Sequence, residues 1–490
     1  MLRRVSIVNW KMLVRVLGWL LLIEAIFMGF PMLASAIYRE PIMPFVTAIL
    51  ITLGVGLFAT FCVKPHRYDM GKREGFLLTA LVWVVFSLFG TIPFMAVENA
   101  ATFTDAFFEA MSGFTTTGVS TFADTESLPY GIHLWRSLMQ WLGGMGIILF
   151  TLAVLPMLNS SGGMQMFNAE VTGITHEKLR PRVSSTAKRL WLVYFLLTVL
   201  LFILYVVGPM NCFDSLCHAF STMSTGGFST RGEVLEGYNS LYVKIVTTVF
   251  MFIGGVNFAL IFRASTGHFR SVWHNEVFRL YVAVCLVMFV VIDISLILNP
   301  AVEHSVENYT VNPLFQVVST ISSTGYAVSG INSWGAFPLG VLVLMMLVGA
   351  CAGSTSGGAK LDRVLVLFKN SHNELTRCIY PNRILPVEVN HQIIPTDVIN
   401  KVLVFIALYV MVIVGGALLL TLCGGSLRDS AFAAFACVSN SGLDSSISPN
   451  GGLYTSVSDG GKWILSLMML TGRLEIFTVL LIFTPRFWKR

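Results

Sequence analysis

The sequence predicts an all-α membrane protein with about ten transmembrane helices and four helix–pore-loop–helix repeats in a pseudo-fourfold arrangement around one pore. Three observations predict this fold: the composition, the recurrence of long apolar runs, and a short polar signature that occurs four times. Of the 490 residues, 55% are hydrophobic and 12% are charged, and the mean hydropathy is +0.75. A soluble protein carries about twice that fraction of charged residues. Hydrocarbon is therefore the natural solvent of most of this chain.

Apolar runs long enough to cross a bilayer as helices recur along the whole chain. They cover residues 12–37, 42–63, 75–97, 134–158, 190–210, 241–262, 277–299, 337–368, 398–423 and 463–485. The first run also fits a cleavable signal peptide, because Arg3 and Arg4 precede it and Ala34-Ser35-Ala36 lies near its end. It is long for a signal segment, and its removal would leave an odd number of crossings. We therefore predict a retained helix.

The basic residues predict the orientation of the chain in the membrane. They cluster at both termini and in alternate loops, which places these loops and both termini in the cytoplasm. They are Arg3, Arg4, Lys11, Lys64, Arg67, Lys72, Arg73, Lys178, Arg180, Arg182, Lys188, Arg189, Arg263, Arg270, Lys369, Arg377, Arg383, Arg486, Lys489 and Arg490. Nucleic-acid binding is not indicated by the net charge of +6, since neither basic–aromatic interleaving nor zinc-finger spacing is present. The opposite loops carry acidic residues, which would concentrate cations at the outer face.

A short Thr/Ser/Asn-Gly signature occurs four times, each time between two long apolar runs. The copies are Thr116-Thr117-Gly118-Val119, Ser224-Thr225-Gly226-Gly227, Ser323-Thr324-Gly325-Tyr326 and Asn440-Ser441-Gly442-Leu443. The segments before them cover residues 103–114, 213–223, 313–322 and 429–438. These segments are too short to cross the membrane but long enough for a helix that enters halfway and returns. Returning loops at that depth must be buried or line water, because each unpaired amide in lipid costs several kcal/mol.

The chemistry of the four signatures suits a pore for cations. Backbone carbonyls and the oxygens of Thr, Ser and Asn side chains can replace the hydration shell of an ion, without the full charges that would trap it. Glycine permits positive-φ conformations that turn successive carbonyls towards one line. One copy alone would be an ordinary turn. Four copies in the same context predict a selectivity filter.

The signatures divide the chain into five units. Residues 1–70 form a two-helix N-terminal unit, and residues 71–160 form the first pore repeat. The second, third and fourth pore repeats cover residues 161–270, 271–390 and 391–490. The second helix of the third repeat is interrupted, which distinguishes that repeat from the others.

The interruption lies at residues 349–360, which read Gly-Ala-Cys-Ala-Gly-Ser-Thr-Ser-Gly-Gly-Ala-Lys. A nucleotide-binding phosphate loop does not fit, because Ala359 intervenes before Lys360 and Leu361 replaces the required Ser or Thr. Close helix packing through small residues is one explanation. The other is a flexible loop below the filter, since broken membrane helices are tolerated where they face a cavity. We favour the loop.

Charged residues within the apolar runs need partners or a role. Arg473 lies in the last run, where a cation costs at least a few kcal/mol. It could form an ion pair with Glu475 or another intramembrane acid, or it could lie on the cytoplasmic side of the filter. There it would repel the passing cation or anchor the loop. Glu24 and Asp293 are also intramembrane acids, and the pattern assigns them nothing beyond helix packing or pairing.

Three segments carry a resemblance to a known family. Residues 114–120 read Phe-Thr-Thr-Thr-Gly-Val-Ser, residues 221–229 read Ser-Thr-Met-Ser-Thr-Gly-Gly-Phe-Ser, and residues 472–478 read Gly-Arg-Leu-Glu-Ile-Phe-Thr. The last of these is the most specific. With them the chain resembles, over nearly its whole length, the Trk/Ktr/HKT superfamily of cation transporters, and within it the bacterial TrkH-type potassium-uptake subunits.

The resemblance implies a single polypeptide that imitates a tetrameric potassium channel. The potassium-binding filter residues that it implies are Thr116, Thr117, Gly118, Ser224, Thr225, Gly226, Ser323, Thr324, Gly325, Asn440, Ser441 and Gly442. It also implies a gate that consists of Gly349, Gly353, Gly357, Gly358 and Arg473. The fourth copy departs from many relatives, which have Gly-Pro where this chain has Gly442-Leu443. Its part in ion coordination is accordingly the least defined.

The function implied by the resemblance is potassium uptake across the bacterial inner membrane, with potassium as the transported ligand and no covalent cofactor. The implied partners are a second copy of the chain in a homodimer, membrane lipid, and a cytosolic RCK-type regulatory subunit that binds nucleotides. A sodium-permeable or ion-coupled transporter of the same fold is the alternative. An enzyme is not indicated, because the nine histidines are isolated and none lies in an HExxH pattern. A carrier of organic solutes would show discontinuous helices in matching halves instead of four pore units.

Overall fold

The structure, a computed structural model, describes residues 8–65, 70–96, 102–122, 124–146, 183–231, 238, 240–300, 305, 307–328, 330–443 and 454–489. Within these ranges the regular secondary structure is helical apart from one two-stranded hairpin, and loops join the elements. The helices are α1 (Trp10–Ile37), α2 (Met43–Leu57), α3 (Lys72–Gly90), α4 (Phe103–Phe114), α5 (Tyr130–Gly144), α6 (Val183–Val207), α7 (Cys212–Met223), α8 (Leu241–Gly254), α9 (Phe258–Ser265), α10 (Phe269–Trp273), α11 (Glu276–Ile297), α12 (Asn312–Ile321), α13 (Ala336–Val348), α14 (Leu361–Ile379), α15 (Thr396–Leu422), α16 (Leu427–Ser439), α17 (Asp459–Arg473) and α18 (Glu475–Phe483). The prediction of an all-α fold is confirmed.

Six helical segments of the described chain are long and apolar enough to cross a membrane. They are Trp10–Ile37, Met43–Cys62, Lys72–Ala96, Ala187–Val207, Glu276–Ile297 and Thr396–Leu422. Between about a fifth and just over half of each is buried inside the protein, so that much of their apolar surface faces outward. Since water would disfavour such a surface, these helices make the chain a multi-pass membrane protein.

Three predicted crossings are not continuous helices. Residues 241–262 form α8 and α9, which meet at 106°, and residues 463–485 form α17 and α18, which meet at 120°. Residues 337–368 form α13 and α14 with an irregular segment between them. The breaks have local causes: Gly349 has φ +68°, and the side chain of Asn257 accepts a hydrogen bond from the amide of Ala259 and starts a new helix. A fourth predicted crossing, 134–158, lies outside the described residues beyond residue 146.

Four short helices, α4, α7, α12 and α16, precede the four polar signatures, and we call them the pore helices. Their observed bounds agree with the predicted segments to within two residues. Three begin at a polar cap: the side chains of Thr102, Asn211 and Ser426 accept hydrogen bonds from backbone amides of the first turn. The fourth, α12, has a proline in its first turn. Each pore helix therefore starts at a defined residue and ends at the signature.

The N-terminal helix is an integral part of the bundle. It packs against α2 and against α3 and α5 of the first repeat. At the crossing with the second helix, a Cβ at Gly18 would lie only 2.8 Å from Ala59 and 3.0 Å from the Gly56 carbonyl oxygen, so that small residues let the backbones approach. The first apolar run thus forms a helix over Trp10–Ile37. Glu24 on this helix is fully buried, with no hydrogen-bond partner for its carboxylate among the described residues.

A short hairpin between α14 and α15 is held against the start of α11. Its strands are β1 (Glu388–Val389) and β2 (Gln392–Ile393), joined by two residues with positive φ. The side chain of Asn390 accepts a 2.8 Å hydrogen bond from the amide of Glu276. Lys369 on α14 donates to the Glu276 carboxylate at 2.7 Å. The segment that joins the third and fourth repeats is thereby fixed to the bundle.

Candidate ion-conduction site

The chain leaves each pore helix in the same conformation. The first residue to turn has a left-handed backbone in every repeat: Thr116, Thr225, Ser323 and Asn440, with φ between +49° and +59°. The amide of the following residue then bonds back to the pore helix. These bonds run from Thr117 to Ser112, from Gly226 to Ser221, from Thr324 to Ser319 and from Ser441 to Ala436, at 2.9–3.0 Å. Four sequences with few identical residues therefore form one repeated structure.

We call residues 116–119, 225–228, 323–326 and 440–443 the filter segments, because they meet in a closed ring. The contacts are so close that the filter glycines have no room for a Cβ atom. A Cβ built on Gly118 would lie 1.9 Å from the Gly226 carbonyl oxygen, and a Cβ on Gly227 would lie 2.0 Å from the Thr324 carbonyl oxygen. A Cβ on Gly325 would lie 2.4 Å from the Gly442 Cα, and a Cβ on Gly442 would lie 2.9 Å from the Thr117 carbonyl oxygen. Each repeat thus touches the next, and the fourth touches the first. The four segments surround one axis.

The structure corrects the predicted register of the second repeat. Gly226 was aligned with Gly118 and Gly325, but it takes the place of Thr117. The residue with the positive φ of the other filter glycines is Gly227, at +85° beside +82° and +81°. The sequence offered two adjacent glycines, and only the backbone conformation distinguishes them. Gly227 is therefore the site residue that sequence reasoning missed. In the fourth repeat, Gly442 is not among the positive-φ glycines, so that segment differs from the other three.

The side-chain hydroxyls of the filter segments serve mainly as internal supports. The hydroxyl of Thr117 lies 2.8 Å from that of Thr115 and accepts from the Asn440 amide at 2.9 Å. In the third repeat, the hydroxyls of Ser322 and Thr324 lie 2.8 Å apart. The sequence predicted these side-chain oxygens as ion ligands beside the backbone carbonyls. In the structure these hydrogen bonds engage the side-chain oxygens and not the backbone carbonyls.

Most carbonyl oxygens of the filter segments are not engaged by the protein. In the described part of the chain, no donor is bonded to the carbonyls of residues 116–118, 225, 227, 323–325 and 440–442. All of these residues are buried, apart from Gly118, Gly227 and Gly442, which are partly exposed. In addition, the four pore helices end at the filter segments, and a helix carries about half a negative charge at its C-terminus. Carbonyls without donors and negative helix ends are both features that suit a cation.

A buried ion pair supports the first two filter segments from behind. The Arg136 Nε atom lies 2.7 Å from the Glu109 carboxylate, and neither side chain is more than 2% exposed. Glu109 accepts hydrogen bonds at 3.1 Å from the hydroxyl of Ser120 and the amide of Thr121. The guanidinium also lies 4.1 Å from the centre of the Phe228 ring. Sequence reasoning missed this pair, although an arginine within the predicted crossing 134–158 was a signal.

Residues 349–360, which we call the intramembrane loop, lie directly against the filter segments. The Thr355 hydroxyl is 3.2 Å from that of Thr225, and the amide of Gly357 donates to the Ser323 hydroxyl at 3.0 Å. A Cβ at Gly357 would lie 2.0 Å from the Ser439 carbonyl oxygen. The loop therefore contacts the second, third and fourth repeats together.

The other predicted gate glycines of the loop are also closely packed. A Cβ at Gly349 would lie 2.4 Å from the Gly357 oxygen, and one at Gly358 would lie 2.8 Å from the Gly349 Cα. Gly353 is packed against the side chain of Asn257, and its carbonyl accepts a 3.0 Å bond from the amide of Phe258. Three of the four, Gly349, Gly353 and Gly358, have positive φ, which a side chain would disfavour.

Arg473 links this loop to the first repeat. Its guanidinium donates to the Thr355 carbonyl at 2.9 Å and to the carbonyls of Gly143 and Gly144 at 2.5 and 3.0 Å. Glu475, a candidate partner of Arg473 in the sequence, forms an ion pair with Arg363 on α14 instead. The loop and Arg473 together therefore contact all four repeats just below the filter segments. A cavity of about 120 Å³ adjoins them, lined by residues that include Gly146, Phe258, Ser356 and Arg473.

Comparison with known proteins agrees with this architecture. Residues 41–490 match the model of the TrkH family, described as cation transport protein. The chain is 35% identical over 486 residues to the Trk system potassium uptake protein TrkH of Escherichia coli strain K12, with 98% of this chain and all of that protein covered. It is 33% identical to the protein of the same name from Halomonas elongata, over 98% of this chain and 99% of the relative.

A solved structure is also similar. The crystal structure of the potassium transporter TrkH from Vibrio parahaemolyticus superimposes with a TM-score of 0.88 at 32% sequence identity. The superposition covers 98% of this chain and 100% of that one. The resemblance inferred from three short segments thus extends over the whole length. The chain belongs to the TrkH family of cation transport proteins, a family of membrane transporters and not of enzymes.

Proposed function

We propose that this protein takes up potassium through the ring of filter segments. The observation that carries the proposal is the closed ring of filter segments at the C-terminal ends of four pore helices, in which most backbone carbonyls have no hydrogen-bond donor in the described part of the chain. Such a ring can replace the water around a large monovalent cation and requires no fixed negative charge. The relatives from Escherichia coli and Halomonas elongata are named as potassium uptake proteins. Potassium is the transported ligand, held by the filter residues Thr116–Gly118, Thr225–Gly227, Ser323–Gly325 and Asn440–Gly442.

We further propose that the intramembrane loop is the gate. It contacts the filter segments of the second, third and fourth repeats, and Arg473 connects it to the C-terminal end of α5 in the first repeat. Its glycines permit the change in backbone conformation that opening requires. The positive charge of Arg473 below the filter adds an electrostatic barrier to a passing cation.

The orientation and partners follow from the same reasoning. The positive-inside distribution supports a bacterial inner membrane location with both termini cytoplasmic. The relatives are named as parts of a Trk system, which supports a separate subunit; we propose a cytosolic RCK-type nucleotide-binding protein and a homodimer of the membrane subunit. These partners would act on the loop from the cytoplasmic side.

The test is cation flux into liposomes that contain the purified protein. Rubidium should enter, potassium should compete strongly, and sodium should compete weakly. Gly118→Ser should lower the preference for potassium, because a Cβ at that position overlaps the Gly226 carbonyl and the backbone has φ +82°. Equal permeability of potassium and sodium in the parent protein would favour the sodium-permeable alternative. Dependence of uptake on a proton or sodium gradient would favour the ion-coupled one.

A further inference from the structure

The second filter segment is supported differently from the first and the third. In those two repeats, a serine of the pore helix donates directly to the carbonyl seven residues later. Ser112 donates to the Val119 carbonyl at 2.6 Å, and Ser319 donates to the Tyr326 carbonyl at 2.6 Å. The equivalent serine in the second repeat is Ser221, and its hydroxyl has another partner.

That partner is Gln140 on α5, a fully buried residue of the first repeat. Its Oε1 atom accepts from the Ser221 hydroxyl at 2.8 Å and from the amide of Phe228 at 3.2 Å. Its Nε2 atom donates to the Gly226 carbonyl at 2.8 Å. One side chain thus replaces the direct serine bond and binds a carbonyl of the filter itself.

The position of Gln140 is equivalent to a methionine in two other repeats. Gly143, Gly254 and Gly472 each approach the end of their own repeat's pore helix, where a Cβ would lie 1.8–2.9 Å from its last residues or the first residues of the filter segment. Three residues before these glycines stand Gln140, Met251 and Met469. An apolar side chain of similar length thus satisfies helix packing at the two equivalent positions, whereas the amide of Gln140 is used for polar contacts with the second repeat.

We propose that Gln140 is a selectivity-determining residue of the filter. By register, the carbonyls of Thr117, Gly226, Thr324 and Ser441 form one ring, and only that of Gly226 has a hydrogen-bond donor in the described part of the chain. The amide of Gln140 fixes the direction of this carbonyl and shares its negative charge. The ring of carbonyls is thereby held rigid, and the Gly226 carbonyl is a weaker cation ligand than the other three. This inference rests on the proposed function, since it assigns a role within the same filter.

The experiment replaces Gln140 by Met, the residue of the equivalent positions, in the full-length protein. The potassium-to-sodium permeability ratio, measured from reversal potentials in proteoliposomes, should fall about two- to tenfold, the weight of one neutral hydrogen bond. A merely structural role would reduce the amount of active protein and the total flux but would leave this ratio unchanged. Met251→Leu is the matched control, and its ratio should equal that of the parent.

Gly118→Ser, measured in parallel, distinguishes an error in the role of Gln140 from an error in the proposed filter. If Gln140→Met keeps the parent ratio while Gly118→Ser lowers it, the role of Gln140 is overturned and the filter assignment stands. If neither variant changes the ratio, the proposed filter itself is wrong. Size-exclusion profiles and thermal unfolding establish that each variant is folded. If Gln140→Met does not fold, Ser221→Ala, which removes one of the bonds that hold the Gln140 amide, should lower the ratio in the same direction, and an unchanged ratio would overturn the proposal.

Discussion

At the scale of single residues, the two adjacent glycines of the second repeat are predicted to differ. Gly227→Ala should abolish selective flux, because φ is +85° and a Cβ would lie 2.0 Å from the Thr324 backbone oxygen. Gly226→Ala should lower the permeability ratio without abolishing selective flux, because its Cβ would displace the side chain of Gln140 and not a backbone atom. Rubidium uptake and permeability ratios of the two variants provide the measurement. A larger loss of selective flux in Gly226→Ala than in Gly227→Ala would favour the alignment of Gly226 with Gly118 and Gly325.

The sequence could not decide this register. The Thr/Ser/Asn-Gly pattern locates each filter segment, because the chemistry of carbonyls and positive φ limits the residues that fit. It does not say which of two neighbouring glycines takes the left-handed conformation, since either can adopt it at no steric cost. The role of Gln140 could not be predicted from the sequence either, because its partners Ser221 and Gly226 are distant in sequence and belong to another repeat.

The buried ion pair of Arg136 and Glu109 should contribute strongly to stability. Arg136→Met leaves a carboxylate buried without its charged partner, and we expect a loss of about 3–5 kcal/mol. A second change, Glu109→Gln, should recover part of that loss, because no charge then remains. Thermal or denaturant unfolding of the purified variants measures the difference.

The exposed pair of Arg377 and Glu374 is the matched control. Arg377→Met should change stability by at most about 1 kcal/mol, because water solvates both charges. Equal losses at the buried and the exposed arginine would contradict the assignment of the Glu109 pair as a structural support of the filter.

At the scale of elements, Arg473 and the intramembrane loop form one unit, and the two roles of the arginine are separable. At about 6 Å and an effective dielectric near 20, repulsion of a potassium ion is roughly 3 kcal/mol, about a hundredfold in occupancy before screening. Arg473→Ala should increase flux. Arg473→Lys keeps the charge but not the fork that binds the carbonyls of Gly143 and Thr355.

Flux assays in liposomes distinguish the outcomes. If the Lys variant conducts like the parent, repulsion dominates. If Lys and Ala variants both conduct above the parent and like each other, anchoring of the loop dominates. Lower flux in a folded Ala variant would show that Arg473 is no barrier, and the gate assignment would be abandoned.

The helices differ in how far they could be predicted. The pore helices were predictable because each is a short segment between a polar cap and a polar signature. The bends after Gly254 and Arg473 were not, because the apolar composition continues through them and periodicity carries no information about direction. Their causes, such as the cap at Asn257, depend on contacts with the loop: the Asn257 amide donates to the Ala352 carbonyl at 2.7 Å.

Across the whole molecule, we propose that four repeats of one chain form a single cation site. The fourfold recurrence of the signature predicted this symmetry, whereas the ring contacts, the support by Gln140 and the contact of the loop with the filter needed coordinates. All of them bring together residues from different repeats. The asymmetry of the second and fourth filter segments is the main departure from the predicted fourfold repeat.

The most direct measurement is the anomalous diffraction of rubidium in crystals of this protein grown with rubidium as the permeant cation. Rubidium is a close analogue of potassium, and its anomalous signal locates it independently of the protein atoms. We expect a peak on the axis of the filter segments, bounded by the carbonyls of Thr117, Gly226, Thr324 and Ser441. Protein that takes up rubidium in liposomes but binds it only outside this ring would show that the filter segments are not the conduction site.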